Sequence, residues 1–180
     1  MRHNADVVPH RDPLTGLPTL SWPRDEWSDF YSSVPKFDTI IYFDVDTLSC
    51  VNDLYGRDEA DNRLRSVANA IRESIPAEYP VLRFSGDEFL ALVSSSRFGK
   101  SELKALQGRL VDRSLRIEAD YTNVDHFSVS CVMANVSNLA SREELGRMVD
   151  EMADVIRAAK DPLINRKYRR QNVLVLHGAA

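Results

Sequence analysis

Two apolar runs with a short polar tip between them constrain the fold more than any other feature of this chain. Val81-Leu82 precedes the tip and residues 90–93 (Leu-Ala-Leu-Val) follow it, with Ser85-Gly86-Asp87-Glu88 in between. Apolar runs joined by Ser-Gly-Asp predict a β-hairpin, because glycine tolerates the positive φ that tight turns often need. Two adjacent acids at the tip indicate either a solvated turn or a position that faces something cationic.

A second acidic pair follows a β-branched and aromatic run, Thr39-Ile40-Ile41-Tyr42-Phe43, which predicts a strand. Its end carries Asp44 and Asp46, which places carboxylate oxygens at the edge of a sheet. Mg²⁺ prefers such ligands together with substrate phosphates. If the hairpin packs beside this strand, Asp44 and Asp87 can share a metal ion that activates a hydroxyl against a phosphate. For Asp46 alone, we prefer capping of the next helix.

The rest of the apolar pattern predicts an α+β domain. A helix after Gly56 has one apolar face, and we expect Asp58 to cap its N-terminus with Asp61 at the N3 position. Further elements are predicted as a helix within 19–34, a helix from Ser101, a strand at 127–133, a helix behind the capping box at 141–144, and a strand at 173–176. This order predicts a mostly antiparallel sheet of about five strands flanked by helices.

Composition limits the class of protein. The 180 residues are 43% apolar and 28% charged, which suits one globular domain. The apolar runs are too short to span a bilayer, and the first residues lack the apolar segment of a signal peptide. Cys50 and Cys131 have no metal-like spacing, so we expect reduced thiols in a cytoplasmic protein. The net charge of −4 argues against a nucleic-acid binder.

The C-terminal part of the chain is locally basic. Between residues 157 and 170 there are six basic residues and one acid. The basic residues are Arg157, Lys160, Arg166, Lys167, Arg169 and Arg170. Two interpretations remain open for this segment, namely a solvated basic face and a clamp for a triphosphate.

Several of these motifs, in the same order, resemble the GGDEF domain family of diguanylate cyclases. Residues 85–89 (Ser-Gly-Asp-Glu-Phe) differ in one letter from the family signature, and residues 11–18 (Arg-Asp-Pro-Leu-Thr-Gly-Leu-Pro) resemble its entry motif. Residues 43–46 and 51–56 resemble its first strand and nucleotide loop. The resemblance implies a ferredoxin-like core similar to the palm of polymerases. It divides the chain into a lead-in or linker at 1–10 and a GGDEF domain at 11–180.

The resemblance also implies an activity and its metal. Family members condense two GTP molecules into cyclic di-GMP, with release of two pyrophosphates, in bacterial second-messenger signalling. Asp44, Asp87 and the carbonyl of Val45 are implied as ligands of Mg²⁺, with Mn²⁺ as an alternative ion. Asp87 and Glu88 are the implied catalytic pair, with Glu88 either on the metal or near the attacking hydroxyl. Since the product needs two GTP-loaded copies, a transient homodimer is implied.

Guanine is implied to be recognised by Asn52 and Asp61, because a carboxylate accepts hydrogen bonds from N1 and N2 of that base. Without the resemblance, a loop or capping role for Asn52 and a helix N3 role for Asp61 would be preferred. Ser85 and Gly86 are implied to let a phosphate approach the backbone closely.

Phosphate contacts are implied at the basic segment. Lys160 corresponds to a family lysine. Arg166 is the candidate for the second phosphate contact, with Arg169 and Arg170 as alternatives.

Three departures from the family pattern stand out. Ser49 takes the position of a phosphate-binding lysine, and Thr19-Leu20 replaces Asn-Arg after the entry motif. Pro76 and Tyr79 take the positions of the inhibitory Arg-x-x-Asp site, so any product inhibition is expected at the active site itself. The alternative function is therefore a degenerate module that binds GTP or cyclic di-GMP and regulates a partner domain without catalysis.

Family members usually carry sensory or membrane domains ahead of the cyclase. We therefore interpret the chain as excised from a larger sensor protein. It is expected to be cytoplasmic, or to be the cytoplasmic domain of a larger, membrane-anchored protein.

Overall fold

The computed structural model describes residues 10–19, 30–32, 34–106, 108–109, 129–136, 141–160 and 174–177. Five strands and three helices follow one another as β1 (Thr39–Val45), α1 (Leu48–Tyr55), α2 (Arg57–Ser74), β2 (Val81–Ser85), β3 (Glu88–Val93), β4 (Val129–Asn135), α3 (Arg142–Lys160) and β5 (Leu174–His177). A further helical stretch covers residues 100–106. In the described part of the chain, no helix is both long enough and apolar enough to cross a membrane.

The strands form one sheet in the order β2-β3-β1-β4-β5. Strand β1 is antiparallel to both β3 and β4, β2 is antiparallel to β3, and β4 is parallel to β5. Because β3 lies between β1 and β2, the first strand, its helices and β2 make the split βαβ unit of a ferredoxin-like core. The predicted α+β class and the mostly antiparallel sheet of about five strands are confirmed.

The sheet is covered by helices on both faces, and the period-2 alternation of β1 explains why. Ile41 and Phe43 belong to the cluster beneath α2, whereas Ile40 and Tyr42 belong to the cluster beneath α3. All four are buried. Successive side chains of a strand point to opposite faces, so an uninterrupted apolar run is needed for a strand buried on both sides.

The segment 10–19 closes on itself and then joins the sheet. Arg11 and Pro18 form an antiparallel bridge around a turn in which Gly16 has a φ of 71°. Thr19 then forms a parallel bridge to Arg83, and the Arg83 N–H donates to the Pro18 carbonyl at 2.9 Å. The outer edge of β2 is therefore paired at this point.

Two predicted caps are wrong. Gly56, with a φ of 86°, ends α1 and is also the N-cap of α2, so Asp58 lies inside the first turn of the helix and Asp61 lies two residues beyond N3, the position expected for it. There its negative charge still interacts favourably with the helix dipole. Thr47 is the N-cap of α1, and Asp46 instead accepts a hydrogen bond from the Ser130 hydroxyl at 2.9 Å.

Two strands begin and end one or two residues later than the sequence predicts. The strand expected at 127–133 is observed at Val129–Asn135, and the one expected at 173–176 is observed at Leu174–His177. Ser141 accepts a hydrogen bond from the Glu144 N–H at 3.2 Å, as a capping residue does. The helix expected within 19–34 is described only at 30–32, where it is helical. Both cysteines are free thiols, as predicted.

Candidate functional site

The hairpin tip lies beside the end of β1. Asp44 is directly opposite Glu88 in the antiparallel register. The Val45 N–H donates to the Asp87 carbonyl at 3.1 Å, which ties the tip to the last residue of β1. The acids that lay more than 40 residues apart in the sequence are thus brought to one edge of the sheet.

The turn itself depends on glycine at one position only. Gly86 has a φ of 31°, and a Cβ there would meet no atom within 4 Å, so the backbone conformation and not space favours glycine. Ser85 does not have a positive φ. Serine in place of the first family glycine therefore introduces no left-handed backbone strain.

The Arg83 side chain holds the turn through its backbone, a role that was not predicted from the sequence. Its guanidinium donates to the Gly86 carbonyl from Nε at 2.9 Å and from Nη2 at 2.5 Å. Nη1 forms an ion pair with Asp12 at 2.7 Å. Asp12 also accepts from the Thr15 N–H and hydroxyl. Burial alone would raise the pKa of Asp12, but the hydrogen bonds from Thr15 and Arg83 outweigh it and lower the pKa.

Glu88 is held by a buried tyrosine, which sequence reasoning treated only as a strand residue. The Tyr42 hydroxyl donates to Glu88 Oε1 at 2.6 Å. Burial raises the pKa of Glu88, and the negative charges of Asp87, Asp44 and Asp150 raise it further, while the hydrogen bond from Tyr42 lowers it. Burial, followed by the bond to Glu88, raises the pKa of Tyr42, so that its hydroxyl remains a donor.

This arrangement predicts that Glu88→Gln stabilises the metal-free fold. Because the pKa of Glu88 is raised in the folded state, that state binds more protons than the unfolded chain, and stability falls as pH rises through the window above the unfolded value of about 4.3. Glutamine keeps an acceptor for Tyr42 and removes the charge. At pH 7 we expect a gain in unfolding free energy of about 1 kcal/mol or less, since solvent screens a half-buried group.

Urea unfolding in a chelating buffer at pH 7 and pH 4 measures this effect. The gain should be present at pH 7 and absent at pH 4. Glu151→Gln, which removes an exposed charge from α3, is the matched control and should change stability little at either pH. A Glu88→Gln protein that is less stable than the parent at pH 7 would contradict the electrostatic argument.

A cavity of about 450 Å³ opens between the α1–α2 junction and the hairpin tip. Its lining residues are Leu48, Ser49, Asn52, Arg57, Ala60, Asp61, Leu64, Arg83, Gly86 and Asp87. The volume lies within the range of about 300–1,000 Å³ that is typical of small-molecule sites. Four of the predicted site residues therefore line one space, two on the helices and two on the turn.

Four of the other predicted residues are not among the lining residues of this cavity. Asp44, Val45, Ser85 and Glu88 lie beside it at the strand ends and the turn. Lys160 is the last residue of α3. Arg166 lies outside the described residues, as do its alternatives Arg169 and Arg170.

The oxygen atoms at the hairpin tip could supply part of the ligand shell of a hard divalent ion, with water and substrate supplying the rest. Within the described ranges, no three His, Cys, Asp or Glu side chains converge on one point. Asp44, Asp87 and the Val45 carbonyl supply two carboxylates and one neutral oxygen. This set matches Mg²⁺, which takes one or two protein carboxylates and completes its shell with water and substrate phosphates.

Comparison with known proteins gave consistent matches. A family model described as "Diguanylate cyclase, GGDEF domain" matches residues 9–166. The uncharacterized protein y4lL of Sinorhizobium fredii is 33% identical over 149 residues, which cover 77% of this chain and 17% of that protein. The cyclic di-GMP phosphodiesterase PdeR of Escherichia coli is 31% identical over 108 residues, which cover 59% of this chain and 16% of that protein. The chain thus spans about a sixth of the length of these two relatives.

Solved structures share the fold. The GGDEF domain of DgcB from Caulobacter crescentus, crystallised in complex with c-di-GMP, superposes with a TM-score of 0.63 at 20% identity. The match covers 98% of both chains.

Proposed function

The chain belongs to the GGDEF family of diguanylate cyclase domains, and on that premise we propose that it condenses two GTP molecules into cyclic di-GMP with release of two pyrophosphates. The observation that carries the proposal is the cavity beside the signature turn. Asn52 and Asp61 line one side of it, and Gly86 and Asp87 line the other. The groups that we propose for base recognition and the turn that we propose for phosphate approach therefore line one cavity.

The proposed roles follow from the chemistry of each group. Asp61 accepts hydrogen bonds from N1 and N2 of guanine, and the Asn52 amide binds N2 or N3. The open space above Gly86 allows a phosphate to approach the backbone. Lys160 and Arg166 are proposed as further phosphate contacts. Positioning and charge neutralisation are the main contributions that a protein makes to phosphoryl transfer.

Asp44, Asp87 and the Val45 carbonyl are the ligands that we propose for Mg²⁺ or Mn²⁺, an ion that supplies charge neutralisation on the phosphates when bound. Tyr42 occupies Oε1 of Glu88 and thereby leaves Oε2 for the attacking 3′-hydroxyl or for the ion. Glu88 is thus held in one orientation before substrate arrives.

A second function is supported by two observations. Ser49 lines the cavity at the position of the family lysine, so one phosphate-binding charge is missing there. One relative is named as a cyclic di-GMP phosphodiesterase. A module that binds GTP or cyclic di-GMP and regulates a partner domain of a larger protein would need the cavity but not catalysis.

Assembly gives the first functional prediction. One cavity takes one GTP, so two copies must meet for product to form, as in a C₂ pair. We propose a transient homodimer and expect specific activity to rise with protein concentration, by up to about tenfold per tenfold increase while pairing is the limiting step. Chromatography of nucleotides after incubation with GTP and Mg²⁺, from nanomolar to high micromolar protein, measures this dependence.

ATP in place of GTP is the control and should give no cyclic product. Binding of GTP with no product at any protein concentration would favour the regulatory module. A flat specific activity, in a protein that sediments as a monomer throughout, would refute transient pairing. Where cyclic di-GMP inhibits, we propose that it competes with GTP in the same cavity.

A further inference from the structure

Two oppositely charged side chains, one helical turn apart, line the cavity without pairing with each other. Arg57 and Asp61 are at positions i and i+4 of α2, and both are lining residues. Residues at this spacing share a helix face and commonly form an ion pair. Among the residues that the structure describes, neither side chain forms an ion pair or a side-chain hydrogen bond. Both groups are therefore available to a ligand.

The other cation of the cavity is already engaged. Arg83 donates to the Gly86 carbonyl through two nitrogens and to Asp12 through the third. Its donors are used in holding the turn. Arg57 is thus the lining residue, within the described ranges, that has a full set of guanidinium donors to offer.

Guanine carries hydrogen-bond donors and acceptors on neighbouring edges, and these are complementary to a carboxylate and a guanidinium group. The N2 and N1 hydrogens are donors, and the O6 and N7 atoms beside them are acceptors. A carboxylate accepts from the first edge, and an arginine donates in bidentate fashion to the second. Side chains at i and i+4 have Cβ atoms about 5–6 Å apart, which suits two neighbouring edges of one base.

Adenine keeps the N7 acceptor but reverses the interactions at the positions of O6 and N1. It presents its N6 amino group where guanine has O6, and it presents an unprotonated N1 where guanine has N1–H. An arginine would then lose one of its two acceptors and meet a donor in its place, and a carboxylate would face an acceptor, so fewer hydrogen bonds could form. The pair should therefore discriminate against adenine more strongly than either residue alone.

We infer that Arg57 is a further guanine-recognition residue, which donates to O6 and N7 of the base whose N1 and N2 hydrogens Asp61 accepts. This inference rests on the proposed function, because it requires a guanine nucleotide in the cavity. It adds a specificity-determining residue on α2 to the residues proposed above.

The test uses base analogues in a binding titration. Parent, Arg57→Ala and Asp61→Ala are titrated with GTP, 7-deaza-GTP, ITP and ATP in Ca²⁺, and the recovered nucleotides are checked by chromatography. Arg57→Ala should weaken GTP binding by about tenfold, the scale of one bidentate contact to a base. It should also bring GTP and 7-deaza-GTP, which lacks N7, to within about twofold of each other. The GTP-to-ITP ratio should be unchanged in this variant, because both bases keep O6 and N7, and should fall in Asp61→Ala.

Controls separate base recognition from charge. Arg65→Ala removes the same charge from an exposed position of α2 and should leave all four affinities unchanged. Arg57→Lys keeps the charge but loses the fork, so it should recover only part of the GTP affinity. Equal losses for GTP and 7-deaza-GTP in Arg57→Ala, or losses below twofold for both, would overturn the inference.

The outcomes also separate this inference from the proposed function. A parent that shows these base ratios but forms no cyclic di-GMP would refute catalysis and leave the role of Arg57 standing. A parent that forms cyclic di-GMP, together with an Arg57→Ala variant that still prefers GTP over 7-deaza-GTP, would refute the role of Arg57 alone. A parent that binds ATP as tightly as GTP would refute both.

Discussion

Asp87→Ala is expected to reduce cyclic di-GMP formation by at least about 100-fold, because it removes a proposed metal ligand that stabilises charge on the phosphates. The fold should survive. Asp87 lies in the turn, and the Val45 N–H bonds to its backbone carbonyl, which alanine retains. A turn carboxylate contributes little to the core, so thermal unfolding should shift by only a few degrees.

Product chromatography at saturating GTP and Mg²⁺ measures the loss, and thermal melting checks the fold. Asp44→Ala should lose activity to a similar extent. Asp53→Ala is the matched control, since Asp53 is exposed on α1 near the cavity but does not line it. Activity of Asp87→Ala within a few-fold of the parent would show that the metal assignment is wrong.

Arg83→Ala is expected to lower the free energy of unfolding by about 2 kcal/mol, the scale of hydrogen bonds that involve charged groups. It removes the bonds to the Gly86 carbonyl and leaves Asp12 without its cation in a mostly buried position. Product formation should fall as well, because the Gly86–Asp87 backbone loses the group that fixes its position. Urea unfolding and the product assay measure the two effects separately.

The dependence of stability on pH at acid pH gives a second test of the ion pair between Arg83 and Asp12. The pKa of Asp12 is lowered in the folded protein, so its contribution is fully present above the unfolded value of about 3.9 and is lost as pH falls through the folded pKa. The stability difference between parent and Arg83→Ala should therefore narrow below about pH 4. Arg97→Ala breaks an exposed pair with Glu78, which solvent screens, so it should lower the free energy of unfolding much less than Arg83→Ala does. Equal costs for the two variants would contradict a bracing role for Arg83.

Local patterns predicted most of the fold. The hairpin and β1 were predictable because their apolar runs are continuous, as strands buried on both faces require. The apolar face of α2 was predictable from its helical spacing. The two wrong caps have different causes. Gly56 ends α1 and is the N-cap of α2, so Asp58 already lies inside α2. Asp46 precedes the N-cap Thr47 and accepts a hydrogen bond from Ser130 of β4, a contact between distant parts of the sequence.

The interactions that hold the site were not predictable from local sequence. Tyr42 reaches Glu88 only because the register of β1 and β3 makes them diagonal neighbours, and Arg83 meets Asp12 across 71 positions of sequence. Family motifs pointed to Asn52, Asp61, Gly86 and Asp87, and the structure brings all four to one cavity. Their chemical roles stay predictions. Arg57 carried no motif signal; it lines the cavity one helical turn before Asp61 on α2.

Pairing of the segment 10–19 with β2 has a consequence for solubility. An outermost strand with free N–H and C=O groups can template intermolecular sheet growth. Here Pro18 and Thr19 occupy that edge at Arg83, and proline has no N–H with which to extend a ladder. A shortened domain that begins after Thr19 would lose this pairing at Arg83, between Leu82 and Phe84. We therefore expect the entry motif to limit edge-to-edge association of this strand, in addition to its contact with Arg83 through Asp12.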